Sequence, residues 1–459
     1  MASKFELTRE FVDELRELIK IEGSKAILNL VEDLHPADLA EVFEILSLEE
    51  ARYIYLIIDK ELAADTLTEL EENDREKLLN SLPSETIAKD IIDKMESDDA
   101  ADLIGELPEN KKAEILKSID DVDQAIDIVD LLNYDEDTAG GLMAKELIQV
   151  NINWDMVTCI KEMRIQAEEV DELYYVYVVD DDGMLLGTVS LKRLMLARSN
   201  AKIKNIYDSD IISVGTDMDS EEVAKIMEKY DLVALPVVDP IGRLIGRITI
   251  DDVVDVIKEE AEKDYQLASG ITADVESSDS VFTLLKARVP WLFIGLLGGV
   301  FAAFVLEGYE EGLKQYSTLY KFIPLIIAMG GNVGVQSSSI VVQGLANKSI
   351  DLDSTFKKIL KELSIAFMVG LMFAVLIFIF NFFINPEDNP IYITLSISVA
   401  LFTVMSFASI FGTFTPMLLN KLKIDPAIAT GPFITTANDI LGIILYMLIS
   451  FVIINLFIG

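Results

Sequence analysis

The chain has 459 residues, is 51% hydrophobic and carries a net charge of −40. Residues 1–276 hold 67 acidic against 28 basic side chains, a net of −39, whereas the remainder is nearly neutral at −1. Such an acidic half repels phosphates, so nucleic acid is excluded as an expected partner and divalent cations are favoured.

Cys159 is the single cysteine, so no internal disulfide framework is expected. The start, MASKFELTREFVDELRELIK, is charged and amphipathic rather than a signal peptide, so the first half is expected to stay in the cytoplasm. The length allows about three domains.

Residues 1–132 read as an acidic α-helical domain. Apolar positions recur at i, i+3, i+4, as in Phe5–Ile21 and Ala26–Leu34. Three helix–turn–helix units follow at Pro36–Ala51, Glu61–Pro83 and Asp98–Leu116, a spacing that suggests a stacked α-superhelix. The lone His35 precedes Pro36 at a helix start and reads as a turn residue.

Over 133–262 the periodicity shortens. Tyr174–Leu191 is strand, turn, strand around a DDG turn, preceded by a helix at Asp155–Ala167. The pattern returns at Leu232–Ile250, preceded by a helix at Ser220–Lys229. A helix follows each copy, Lys192–Arg198 and Asp251–Lys263, so this is a duplicated α/β unit. Residues 263–285 read as a connecting helix.

Residues 286–459 hold five runs of bilayer-crossing length, near 290–307, 320–345, 359–384, 391–419 and 426–457. Lys286, Arg288, Lys348, Lys357, Lys358, Lys361, Lys421 and Lys423 flank them on one side. Glu307, Glu310, Glu311, Glu387 and Asp388 lie on the other. The basic side is expected to be cytoplasmic and the C-terminus outside.

Asp439 lies near the middle of the last run. An ionised carboxylate at that depth costs several kcal/mol and seldom faces lipid. It is expected to face a water-filled path with a cation as its partner; the alternative is an aspartate bonded to a neighbouring helix. Thr435, Thr436 and Asn438 lie within one turn and offer oxygens. The second run carries GGNVGVQSSS in mid-span. Gly330, Gly331 and Gly334 allow close helix approach, and Asn332 and Gln336 share a helical face. Pro324 and Pro432 are expected to kink their helices.

The duplicated units resemble a tandem cystathionine-β-synthase (CBS) domain pair. With a helical acidic domain before them and five spans after, the chain resembles the MgtE family of magnesium channels. The resemblance is carried by PLIIAMGGNVGVQSS (Pro324–Ser338), DPAIATGPFITTANDILG (Asp425–Gly442), KARVPWL (Lys286–Leu292) and TIDDVVDVIKEEAEKD (Thr249–Asp264). It implies a homodimer in the inner membrane, conducting Mg2+ between two membrane halves and closed when its cytoplasmic domains bind Mg2+. Asp439 matches the family's pore aspartate, and two copies suit a doubly charged ion. Asp219, Glu221, Asp231, Asp252, Asp255, Glu260 and Asp264 match cytoplasmic metal ligands, and further acids lie around Asp93–Asp102. The sequence departs from the family at Gln343, where a basic residue is frequent, at Ala408 and Ser409, and at Asn438, where Thr or Ser is usual.

Alternative readings remain. The ion is Mn2+, Co2+ or Ca2+, or the protein is a membrane-anchored CBS sensor without flux. ATP is the alternative ligand of the CBS pair, through Thr249 and Asp252; the first copy has Ser190 but Arg193 in place of the acid. No nucleophile–base set and no phosphate-binding loop is found, so an enzyme is not expected.

Overall fold

The computed structural model describes residues 5–167, 170, 173–272, 275, 279–346, 352–384 and 391–458. Of the charges used to orient the spans, Lys348, Glu387 and Asp388 lie outside them. The chain divides into two compact units, Met1–Glu259 and Glu260–Gly459.

The first unit opens with ten helices: α1 (Arg9–Lys20), α2 (Ser24–Val31), α3 (Pro36–Ile45), α4 (Leu48–Tyr55), α5 (Lys60–Thr68), α6 (Glu72–Ser81), α7 (Ser84–Asp90), α8 (Ser97–Gly105), α9 (Glu109–Ser118) and α10 (Val122–Leu131). Their starts are set by local chemistry. The His35 ring accepts from the Ala37 N–H beside Pro36 at the first helical position, and Ser47 with Glu50 forms a capping box. Alternate helices pack, α3 on α5, α4 on α6, α7 on α9 and α8 on α10, which gives the expected superhelix.

Two three-stranded sheets follow. The first holds β1 (Ile148–Asn151), β2 (Val176–Val179) and β3 (Leu185–Val189); the second holds β4 (Val214–Gly215), β5 (Ala234–Val238) and β6 (Leu244–Thr249). In each, the first strand is parallel to the second and the third antiparallel. Helices α11 (Met156–Gln166), α12 (Leu191–Leu196), α13 (Ser220–Tyr230) and α14 (Ile250–Ala268) complete the pair. The two hairpin turns have the same build. Asp180 Oδ1 accepts from Asp182 and Met184 N–H, and Asp239 Oδ1 from Ile241 and Arg243 N–H. Gly183 and Gly242 supply the positive φ (81° and 92°) that each turn needs. The turns also bond to each other, Leu185 N–H to Gly242 O and Leu244 N–H to Gly183 O, both at 3.0 Å.

The segment expected as a connecting helix over 263–285 is not one element. Helix α14 starts at Ile250 and ends at Ala268, and the next helix starts only at Val281. Gly270, with φ 81°, ends the run in the left-handed conformation that halts helices.

The second unit holds α15 (Val281–Glu307), the short α16 (Glu310–Gln315), α17 (Ser317–Ala346), α18 (Leu352–Ile384), α19 (Ile391–Lys421) and α20 (Gly431–Ile458). Five of these are long and apolar enough to cross a membrane. Helix α19 is central and packs on α17, α18 and α20. The last run is interrupted: Pro426–Ala429 forms a 3-10 turn before α20 begins. Pro432 therefore lies in the first turn of a helix, where its missing N–H costs nothing, and does not kink one. Pro324 does lie inside α17.

Candidate functional site

The membrane site forms where α17 meets α20. Three glycines clear the face of α17. A β-carbon on Gly331 would lie 3.4 Å from Thr435 Cγ2 and 3.6 Å from Asp439 Oδ1. One on Gly330 would lie 3.9 Å from the Asn438 carbonyl oxygen, and one on Gly334 would overlap Asn438 Nδ2. The absence of side chains thus brings the α17 backbone against the polar residues of α20.

Asp439 is half-buried, and its Oδ1 is sealed from solvent with no hydrogen-bond partner among the described residues. The alternative of an aspartate tied to a neighbouring helix finds no support at that oxygen. Asn438 is 1% exposed, and both its amide atoms are likewise unpartnered. The Thr435 hydroxyl donates to Gly431 O at 2.9 Å, which leaves its lone pairs as acceptors. The Thr436 methyl packs at Gly298 of α15. Asn332 and Gln336 share a face of α17, as expected from their spacing, but that face is exposed on the single chain, away from the glycine side.

Hydroxyl pairs brace the contact. Ser337 and Ser409 lie 2.8 Å apart across α17 and α19, and Ser338 Oγ donates to Ala429 O at 2.7 Å. Ala408 and Ser409 are buried, so these departures from the family pattern sit in a packed seam between helices, whereas Gln343 is exposed. Sequence reasoning missed the Ser337–Ser409 pair and Gly412. Two small residues three apart on α19 were the available signal.

In the first unit, a second polar cluster joins α8 to the start of α14. Asp252 Oδ2 accepts from the Thr249 hydroxyl (2.7 Å) and N–H (3.1 Å), which caps α14. Burial and then the neighbouring charge of Asp252 hold Asp98 well above the usual carboxylate range. Crowding by protein and then Asp252 push Asp99 up to about 7, although it keeps an exposed face. Asp102, similarly exposed on one side, is pushed up to about 7 by crowding and then by Asp99. Burial pushes Asp252 itself up to about 6. Beside them, the buried Arg247 pairs with Glu96 at 2.7 and 3.0 Å.

The other expected sensor acids do not join this cluster. Asp219 caps α13 through the Glu221 N–H, Glu221 pairs with Lys225, and Asp231 ends α13 with φ 53°. Asp255 is exposed, Glu260 bonds Lys263 at 3.0 Å, and Asp264 is exposed. Among the described residues, no three Asp, Glu, His or Cys side chains are arranged to hold a metal ion directly. Sequence reasoning placed acids around Asp93–Asp102 but could not tell which of them approach Asp252.

The fold and these sites define a multi-pass membrane protein whose spanning helices enclose a carboxylate and whose chain also carries a CBS pair. Comparison with known proteins narrows this. Family models match as divalent cation transporter (MgtE) over residues 323–449, MgtE intracellular N domain over 34–137 and CBS domain over 139–200 and 203–259. The magnesium transporter MgtE of Thermus thermophilus is 30% identical, covering 95% of this chain and 97% of the relative. That of Bacillus subtilis is 32% identical, covering 91% and 92%. A crystal structure of the cytosolic domain of the Mg2+ channel MgtE in complex with ATP matches at TM-score 0.50 and 31% identity, covering 53% of this chain and 99% of that one. The chain belongs to the MgtE family, whose members are transporters or channels and not enzymes.

Proposed function

We propose that this protein is a dimeric, Mg2+-gated Mg2+ channel that mediates uptake across the inner membrane. The observation that carries the reading is the Asp439 Oδ1 oxygen, enclosed in the spanning unit without a partner. A cation supplies what that oxygen lacks. Mg2+ sheds water reluctantly, so a site for it works best through outer-sphere bonds to carboxylate and neutral oxygens. Asp439 gives the charge, with Thr435, Thr436 and Asn438 beside it in sequence on α20; Asn332 and Gln336, exposed on the single chain, join the pore set where a second copy meets that face. The transport of magnesium named for the relatives supports the choice of ion.

Gating follows from the acidic unit. Asp98, Asp99, Asp102 and Asp252 crowd together, and Mg2+ between them relieves their repulsion. Asp219, Glu221, Asp231, Asp255, Glu260 and Asp264 serve the same role where surfaces of two copies meet. A second copy is supported by the apolar surface of the first CBS unit, where Met195 and Leu196 are 84% and 77% exposed. The N-terminal and CBS domains lie in the cytoplasm and the C-terminus outside, as the basic flanks of the spans favour.

Uptake of Mg2+, Mn2+, Co2+ and Ca2+ into proteoliposomes holding the full chain tests this reading. Saturable Mg2+ entry supports it. Entry of another divalent ion in preference to Mg2+ selects the broader cation reading, and absence of any flux leaves a CBS sensor anchored in the membrane. ATP is a second ligand to test, since the matching cytosolic domain was solved with it. Equilibrium dialysis against ATP, with Asp252→Ala as control, decides.

A further inference from the structure

Three successive residues at the start of α8 meet three different parts of the chain. Glu96 accepts from the Arg247 guanidinium of β6 at 2.7 and 3.0 Å. Ser97 Oγ donates to Glu146 at 2.7 Å and accepts from the Lys145 N–H at 2.9 Å, just before β1. Asp98, 8% exposed, faces the charge of Asp252 at the start of α14. The helical domain therefore meets the CBS pair through one helix terminus, with attraction at its first residue and repulsion two residues later.

Arg247 gathers the chain at this point. Its side chain is 5% exposed and lies 5.9 Å from the centre of the Tyr174 ring, ahead of β2. Its backbone pairs with Ala144 in both directions, at 2.8 and 2.9 Å. A buried ion pair is weak evidence for stability, because apolar residues of similar volume often serve as well or better. What the pair supplies is selectivity: either charge is costly in any arrangement that buries it away from the other. In a half-chain of net charge −39, a contact between two acidic faces sets carboxylate against carboxylate. An arginine on the CBS side favours the one arrangement that brings Glu96 to it.

We propose that Arg247 is a positioning residue of the sensor, a fixed cation that seats the helical domain on the CBS pair without metal and leaves to Mg2+ the repulsion among Asp98, Asp99 and Asp252. This deepens the gating reading and rests on it, adding the part of docking that needs no ion. Seating and metal binding are linked, so a stronger metal-free contact lowers the Mg2+ concentration at which the domains close. Loss of one charge-assisted pair weakens the seat about tenfold. The Mg2+ midpoint then rises by about tenfold for one bridging ion and about threefold for two acting together.

The test uses full-length protein in detergent, treated with protease at graded Mg2+. The cut followed lies between α10 and β1, where Ala139, Met143 and Ala144 are buried and become accessible only as the domains part. The parent is compared with Arg247→Lys and with the paired neutral variant, Glu96→Gln together with Arg247→Met; melting temperatures are recorded for each. The paired variant strands no charge, so it is expected to melt no lower than the parent. In metal-free buffer it should be cut about tenfold faster, since cleavage follows the open population, and its Mg2+ midpoint should rise about three- to tenfold. Arg247→Lys keeps the charge but loses the two-pronged bond and should fall between. Parent-like metal-free cleavage and midpoint in the paired variant would overturn the proposal and leave the pair a packing feature. If the paired variant fails to fold, Arg247→Lys decides on the same readouts, with parent-like values overturning the proposal and a shift in both supporting it. A parent whose cleavage ignores Mg2+ overturns the gating reading, and the metal-free comparison then decides the seat by itself.

Discussion

The carbonyl oxygen of Ala268, at the end of α14, lies against Gly431, where α20 begins, so closely that a β-carbon on Gly431 would overlap it. Gly431 has φ 50°, a conformation that side chains resist. The contact is doubled by Gly270, whose β-carbon would overlap the Pro432 ring. Asp439 follows eight residues later, about 12 Å along the helix. The end of α14 is thus keyed to the helix that carries Asp439.

Gly431→Ala should therefore weaken this joint. Left-handed strain and overlap together cost about 1–3 kcal/mol. The expected result is a melting temperature lower by several degrees in detergent, together with Mg2+ entry that high internal Mg2+ closes less completely.

Removing Mg2+ should expose the acidic unit. Without the ion, proteases should cleave within residues 1–270 faster, and millimolar Mg2+ should protect. Equal cleavage with and without Mg2+ would count against a sensor.

The acidic cluster should also respond to pH. Asp99 and Asp102 are held near 7 and Asp252 near 6, all above the unfolded value. Raised carboxyl groups favour the fold while protonated, and that contribution is lost as pH rises from about 4 through 7. In Mg2+-free buffer, protection of the α8 amides, taken relative to their intrinsic exchange rate at each pH, should fall between pH 5 and pH 8. Asp99→Asn with Asp102→Asn should flatten the dependence.

Arg247→Ala should destabilise the first unit. The guanidinium is buried and paired with Glu96, and it also lies over the Tyr174 ring at 5.9 Å. Breaking such a pair strands the Glu96 charge; Glu96 is partly exposed, so the cost should be about 2–3 kcal/mol. Chemical denaturation followed by proteolysis of the first unit measures it.

Much of the fold was legible because it rests on period and composition. The i, i+3, i+4 pattern marked the helical domain, the two hairpins marked the duplication, and unbroken apolar length marked the five spans. The first strand of each sheet was missed: β4 is only Val214–Gly215, too short to show alternation. The 3-10 turn at Pro426–Ala429 was hidden because the run stays apolar across it. In the site, Asp439 stood out as a lone charge at membrane depth, and Asn332 with Gln336 were rightly placed on one face. Which face meets α20 depends on packing, and there the glycines decide. Likewise the approach of Asp98 to Asp252, 154 residues apart, is tertiary and left no local trace.

The most direct measurement is Mg2+ entry into proteoliposomes carrying Asp439→Asn, which keeps the volume of the side chain and removes its charge. A folded protein with entry reduced to the level of empty vesicles is expected. Entry at the parent's rate would contradict it.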